Sequence, residues 1–432
     1  YCHVQVTWNS GTVRLPSVLP AVKTMVRKAT PYRYRYYLNY CTFNYSMSWW
    51  DWNRWEKEID WMALHGINMP LAISGEEYTW YLVYKEMGFS DEELKDFFCG
   101  PSYFAWFWMG NLDRWGGPLP LSWMKSHFAL QKRILRRERE LGMKPVMPAF
   151  TGHVPKAFKE RFPNARLKVT NWNNGFADTY ILDAHDSLFA QIGKKFLQKQ
   201  MALLGTDHLY SADTFNENEP PSNNPGYLSA LSAKVYQGMK LADTAAVWVM
   251  QGWLFYNDRK FWKEPQISAL LQAVPDDKMI ILDLAADIEP VWKRTSAFYG
   301  KPWIWNMLHN FGGNTNLFGR METIASEPSK ALNDAGKGKL CGIGLTMEGI
   351  EQDPVMYELM TENTWRHDTI DLDEWLPLYV RNRYGVQNTH AQKAWDILRR
   401  TGYTVPPEKY KRDGNEAIIE GRPTLDSLAP GV

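Results

Sequence analysis

Eight short apolar runs recur along this chain, and helical patterns separate them. The runs are "YYLNYC", "INMPLAI", "MKPVMPAF", "DHLYSADTF", "AVWVMQGW", "KMIILDLAA", "PWIWNMLHN" and "LCGIGLTME". Their near-continuous apolar character fits strands buried on both faces, as crossover helices between parallel strands require. Eight repeats of a strand–helix unit predict a (β/α)₈ barrel, an α/β fold. A doubly wound open sheet is the second option. No G-x-G-x-x-G or Walker-type loop supports a nucleotide-binding version of it.

The intervening helices carry their own signals. "DWNRWEKEIDWMALHG" predicts a helix capped by Asp51, with Trp52, Trp55, Ile59, Met62 and Ala63 on one face and Gly66 at its end. "LSWMKSHFALQKRILRRERELG" predicts another, with Ser122 as cap, an apolar stripe through Met124, Phe128 and Leu135, and Gly142 at its end. Residues 1–15 read as a hairpin around "NSG", the tail of a small N-terminal α/β domain. A linker follows to about residue 30. The alternation, and with it the barrel, occupies 31–365. From 366 to 432 the pattern is helical without strands, then polar and rich in Pro and Gly, as expected for the start of a helical C-terminal domain that is cut short.

In such a barrel, chemistry sits on the loops after the C-terminal ends of the strands. Polar residues gather there: Asn39 and Cys41; Thr151 and His153; Asn216 and Glu217; Gln251 and Trp253; Asp283 and Asp287; His309 and Asn310; and Glu348. Glu217 and Glu348 lie far apart in sequence, and a barrel brings distant strand ends around one pocket. Two carboxylates there form the pair that glycoside hydrolysis needs, one protonated and one ionised. Aromatic residues make up 14% of the chain, with 21 Trp, 22 Tyr and 19 Phe, so beyond a core supply there are flat rings suited to the C–H faces of a sugar. His153, His309, Asp213 and Asp283 have no metal-site spacing and are expected to orient the carboxylates; no metal and no cofactor are called for.

Formal net charge is +1, from 49 basic and 48 acidic residues, which argues against a nucleic-acid partner. No apolar run reaches the about 20 residues of a membrane span. The cysteines Cys2, Cys41, Cys99 and Cys341 include no C-x-x-C pair, so neither a zinc ribbon nor a dense disulfide framework is expected.

Several long stretches resemble glycoside hydrolase family 89, the α-N-acetylglucosaminidases. They are "RYRYYLNYCTFNYSMSWWDWNRWEKEIDWMALHGIN", "MGNLDRWGGPLP", "PAFTGHVP", "GTDHLYSADTFNE", "MQGWLF", "MLHNFGGN" and "MEGI". The resemblance covers about residues 30–400. It implies a central (β/α)₈ barrel that removes terminal, non-reducing α-linked N-acetylglucosamine from glycans with retention of configuration. It makes Glu217 of "TFNE" the acid/base and Glu348 of "MEGI" the nucleophile. Asn39, Cys41 and Tyr45 become sugar contacts, and Trp106, Trp172 and Trp253 pocket aromatics. Glu77, His153 and Asn310 complete the expected substrate-binding set. Glu219 competes with Glu217, because "NEP" resembles the acid/base motif of other barrel glycosidases. The substrate class implies a secreted, periplasmic or lysosomal location. A helical C-terminal domain contributes to the pocket in this family. The remaining alternatives are a carbohydrate-binding protein on a degenerate barrel and a barrel glycosidase for another sugar.

The stereochemistry of such a substrate independently demands a protein nucleophile. In an α-N-acetylglucosaminide the 2-acetamido group is cis to the leaving oxygen and cannot attack C1 from the opposite face. A carboxylate must do so, giving double displacement at carboxyl separations of about 5–5.5 Å. The sequon Asn44-Tyr45-Ser46 falls in the proposed pocket loop, where a glycan would block the site, so it is read as incidental.

Overall fold

The computed structural model describes residues 5–7, 17–18, 21–172, 175–313 and 317–405. The expected hairpin at 1–15 and the polar tail from 406 lie almost wholly outside the described residues.

All eight apolar runs contribute a parallel strand: β1 (Tyr34–Tyr37), β2 (Met69–Pro70), β3 (Met147–Pro148), and, after the insertion described below, β7 (Leu209–Ser211), β8 (Val247–Gln251), β9 (Met279–Asp283), β10 (Pro302–Met307) and β11 (Lys339–Leu345). Their order in the sheet is β2-β1-β11-β10-β9-β8-β7-β3. The two ends meet through a parallel bridge between Leu71 and Val146, with Val146 N donating to Pro70 O at 2.8 Å and Ala72 N donating to Val146 O at 2.9 Å. The sheet is therefore a closed barrel, and the open-sheet alternative is set aside. β9, "MIILD", is buried at every position, as a strand between a packed interior and a helical coat must be. In β11, Gly344 admits its neighbours closely: a Cβ there would stand 2.8 Å from Tyr36 Cβ.

The helix Trp52–Leu64 starts as expected, with the Asp51 side chain accepting from Arg54 N, and Gly66 follows its end at φ 76°. Its buried face differs from the expected one. Trp61 and Glu58 are buried, while Trp52 and Ala63 are only half-buried. Glu58 is drawn inward by Tyr37 Oη, which donates to it at 2.5 Å, and by Arg54 at 2.9 Å. Ser122 is not a cap. The helix Leu121–Glu140 begins directly after the extended Pro120, so Ser122 falls inside its first turn.

An antiparallel insertion went unanticipated. β4 (His153–Val154), β5 (Leu167–Thr170) and β6 (Thr179–Leu182) pair in the order β4-β6-β5 beside the barrel mouth. β7 is also shorter than the alternation of "LYSADTFNE" predicts. It stops at Ser211, and Phe215 at φ 63° turns the chain into a loop. Beyond the barrel, helices Leu372–Tyr384 and Thr389–Arg400 form as expected. They are tied back to the barrel by Tyr403 Oη, which donates to Asp353 at 2.8 Å. Among the described residues no helix is long and apolar enough to cross a membrane.

Candidate active site

At the C-terminal end of the strands, a cavity of about 220 Å³ is bordered by both Glu217 and Glu348. Glu217 stands on the loop after β7. Its carboxylate accepts from two indoles, Trp172 Nε1 to Oε2 at 2.8 Å and Trp253 Nε1 to Oε1 at 3.3 Å. Glu348 stands just past β11, and its Oε2 accepts from the backbone N–H of Gly312. Each carboxylate is thus oriented by donors from another loop.

The first strand's loop is sewn to the last. Asn39 Nδ2 donates to Thr346 O at 2.9 Å, Asn39 Oδ1 accepts from Cys41 N at 3.1 Å, and Thr42 Oγ1 donates to Met347 O at 2.7 Å. This seats Cys41 on the cavity wall with both acids. Burial, then the charges of Glu348, Glu217 and Asp213, hold its thiol well above the usual range. A thiol kept neutral is a poor nucleophile, which fits a polar contact and not covalent chemistry. Burial, with the charge of Glu217 adding, pushes Asp213 up to about 7, opposed by Asn216 Nδ2, which donates to it at 2.9 Å.

Aromatic rings wall the cavity on two sides. Tyr45 meets Trp106 edge-on at 5.3 Å, and Trp106 faces Trp172 at 6.4 Å. Across the opening, Trp253 packs 5.9 Å from Phe311. Met109, Asn111, Asn216, Gln251, Leu284, Phe311 and Gly312 also line the cavity and were not in the expected set. Asn216 and Gln251 carried a signal as polar residues at strand ends. Met109 and Asn111 lie in the quoted "MGNLDRWGGPLP" but far from any strand. Phe311 and Gly312 lie in the quoted "MLHNFGGN", and Leu284 carried no chemical signal of its own.

Three expected contacts lie off the cavity wall. Glu77 is buried at the start of helix Glu76–Glu86, where burial pushes it up to about 8. His153 is consumed by the protein itself: Nε2 pairs with Asp113 Oδ1 at 2.6 Å and Nδ1 reaches Phe107 O at 3.1 Å. Asn310 braces the loop after β11, donating to Gly349 O at 2.8 Å and accepting from Gly349 N at 2.9 Å. Asp283 and His309 brace loops too. Asp283 accepts from Val291 N and Trp292 N at a helix start, and His309 Nε2 lies 3.0 Å from Asp353. Glu219 is exposed, off the cavity wall, with its carbonyl accepting from Lys168 Nζ. Asn44 is occupied as well: Nδ2 donates to Ser48 Oγ and Pro101 O, both at 2.9 Å, and Oδ1 accepts from Ala105 N. Its side chain is committed to holding the pocket loop.

Residues 35–367 match the α-N-acetylglucosaminidase TIM-barrel domain, and residues 375–430 match the C-terminal domain of the same proteins. The chain belongs to the family 89 α-N-acetylglucosaminidases. Human α-N-acetylglucosaminidase is 46% identical over 430 residues, covering 98% of this family 89 chain and 58% of the human protein. A family 89 glycoside hydrolase from Clostridium perfringens, solved with 2-acetamido-1,2-dideoxynojirimycin, superposes at a TM-score of 0.89 with 34% identity, over 99% of this chain and 48% of that one. A variant of the clostridial enzyme with two Glu→Gln substitutions, solved with its substrate GlcNAc-α-1,4-galactose, gives 0.89 and 33%, over 99% of this chain and 47% of that one. The chain thus spans about half the length of these relatives. A family 138 enzyme targeting a pectin shares the fold, at 0.52 and 10% identity.

Proposed function

We propose that this chain carries the catalytic barrel of a retaining exo-α-N-acetylglucosaminidase. The observation that carries the reading is one small cavity bordered by two glutamates whose charges both bear on the buried Cys41 thiol. At about 220 Å³ the cavity falls below the about 300–1,000 Å³ of sites for larger ligands, which fits a single terminal sugar.

Glu217 protonates the glycosidic oxygen while Glu348 attacks C1 from the opposite face. A covalent glycosyl–Glu348 ester forms and the aglycone leaves with the proton. Water, deprotonated by Glu217, then attacks C1, and Glu348 departs as a carboxylate. The two indole N–H groups fix the Glu217 carboxyl, and the Gly312 N–H fixes Glu348, so little reorganisation accompanies either transfer. Asn39, Cys41 and the aromatic walls Tyr45, Trp106, Trp172 and Trp253 position the sugar. The substrate is a glycan ending in α-linked N-acetylglucosamine. The clostridial complex supports a 1,4-linked galactose as one acceptable neighbour. This substrate class places the protein in a secreted, periplasmic or lysosomal setting. The barrel domain is read as 31–365, with 366–432 opening the helical domain.

Hydrolysis of nitrophenyl α-N-acetylglucosaminide is the test, set beside the α-glucoside and the β-N-acetylglucosaminide and followed by NMR. The expected result is turnover of the first alone, with the α-anomer released first. Release of the β-anomer first would refute double displacement, and sugar binding without turnover would refute the enzyme reading.

A further inference from the structure

We infer that Trp115 and Phe176 form an outer subsite, on which the pyranose ring departing with the glycosidic oxygen stacks. The inference rests on the catalytic reading above. An aromatic path leads out of the cavity from Glu217. Trp172, whose N–H is donated to Glu217, lies 5.7 Å from Phe176 with the two rings 25° apart. Phe176 in turn meets Trp115 edge-on, at 4.8 Å and 83°. Exposure rises along this path: Trp172 and Phe176 are half-buried, and Trp115 is 43% exposed. The general acid donates to the oxygen that leaves, so the departing sugar lies on its side of the site. A flat, rigid, apolar ring there matches the C–H face of a pyranose. Rings that touch in sequence from the cavity wall out to solvent offer such a ring at each step.

The platform is held in place before any ligand arrives. Asn111 N donates to Trp106 O at 2.8 Å, and Asn111 Oδ1 accepts from Nδ2 of Asn218, the residue after Glu217, at 2.9 Å. Asp113 is fixed by its pair with the buried His153, and Trp115 O accepts from Gly100 N at 2.8 Å. Gly116 turns the chain at φ 65°, and a Cβ there would lie 2.5 Å from the Tyr103 ring. On the other side, Asn171 Nδ2 donates to Phe176 O at 3.1 Å. Preorganisation of this kind lowers the ordering cost of binding. It also explains why His153 is buried: it anchors the loop that presents Trp115.

The test uses the full-length protein and two substrates, GlcNAc-α-1,4-galactose and α-N-acetylglucosaminyl fluoride, whose leaving group has no ring to stack. Loss of one sugar–aromatic stack lowers kcat/KM for the disaccharide about tenfold in Trp115→Ala, mainly through KM, while fluoride hydrolysis stays within about twofold. Trp115→Phe retains most of the disaccharide rate. Equal losses on both substrates, or an unchanged disaccharide rate, overturn the inference. A wild-type protein inactive on both substrates fails the catalytic reading instead, and the inference falls with it.

Discussion

Replacing Glu76 by glutamine should remove a large pH dependence from the stability of this protein. Glu76 opens the helix Glu76–Glu86 and is buried beneath the barrel mouth. Its Oε1 accepts from Trp80 Nε1 at 2.7 Å, while Oε2 has no partner among the described residues. Burial is the main cause that pushes it from 4.5 up to about 8. A carboxyl raised in the folded state binds its proton more tightly there than in the unfolded chain. Its contribution is fully present below the unfolded value and is lost as pH rises towards about 8. At about 1.4 kcal/mol per pH unit, holding this proton in the fold while the unfolded chain ionises costs on the order of 4 kcal/mol of stability by pH 7.5. Glu77, also pushed up to about 8, and Asp213 and Asp283, pushed up to about 7, add costs of the same sign. Urea denaturation of wild type and Glu76→Gln at intervals from pH 4.5 to 8 measures the slope. The variant should match wild type near pH 4.5 and exceed it by a few kcal/mol at pH 7.5, with a slope lower by about one proton. Identical slopes would show that Glu76 ionises as freely in the folded chain as in the unfolded one, and would refute the argument.

Four further outcomes are expected. Glu217→Gln should lower turnover by about 10²–10⁴ on substrates with poor leaving groups and far less on those with good ones, in steady-state assays; Glu219→Gln should not show that split. Glu348→Ala should lose hydrolysis and, with azide added, release a glycosyl azide of inverted configuration detectable by NMR. Cys41, buried and held protonated by burial and the neighbouring charges, should resist iodoacetamide at pH 7.5 in the folded protein and react after denaturation, as read by mass spectrometry. Asp113→Asn weakens the buried hydrogen bond to His153 and should cost about 1.5–3 kcal/mol in urea denaturation.

The barrel was legible because each strand is a short apolar run with a helix after it, a local pattern that the closed sheet preserves. The acids were legible for a related reason, since Glu217 and Glu348 each follow a strand end. The exact wall of the cavity was less so. Glu77 and His153 have the chemistry of contacts, yet the side chains that use them, Asp113 for His153 and the surrounding apolar packing for Glu77, come from distant segments. Asn310 was expected to face the ligand, but the Gly349 backbone takes both ends of its amide. Ser122 failed as a cap because capping depends on where the preceding proline leaves the chain, which residue type alone does not state. The antiparallel insertion was missed because β5 and β6 are only partly buried and carry no continuous apolar run of the kind that marks the barrel strands.

The position of β1 in the ring has a consequence for how the protein comes into being. β1 pairs with β2 on one side and with β11, the last strand, on the other, in the register Tyr34 with Gly342 to Tyr37 with Leu345. As the chain leaves the ribosome, every earlier strand can find a neighbour while β1 and β10 wait as two open edges. Such edges are sticky and slow to close, because the contacts that seal them span most of the barrel sequence. β11 is the keystone that fills the gap, and Glu348 follows it by three residues. The proposed nucleophile therefore arrives with the strand that seals the ring, so that no half-assembled barrel holds both acids.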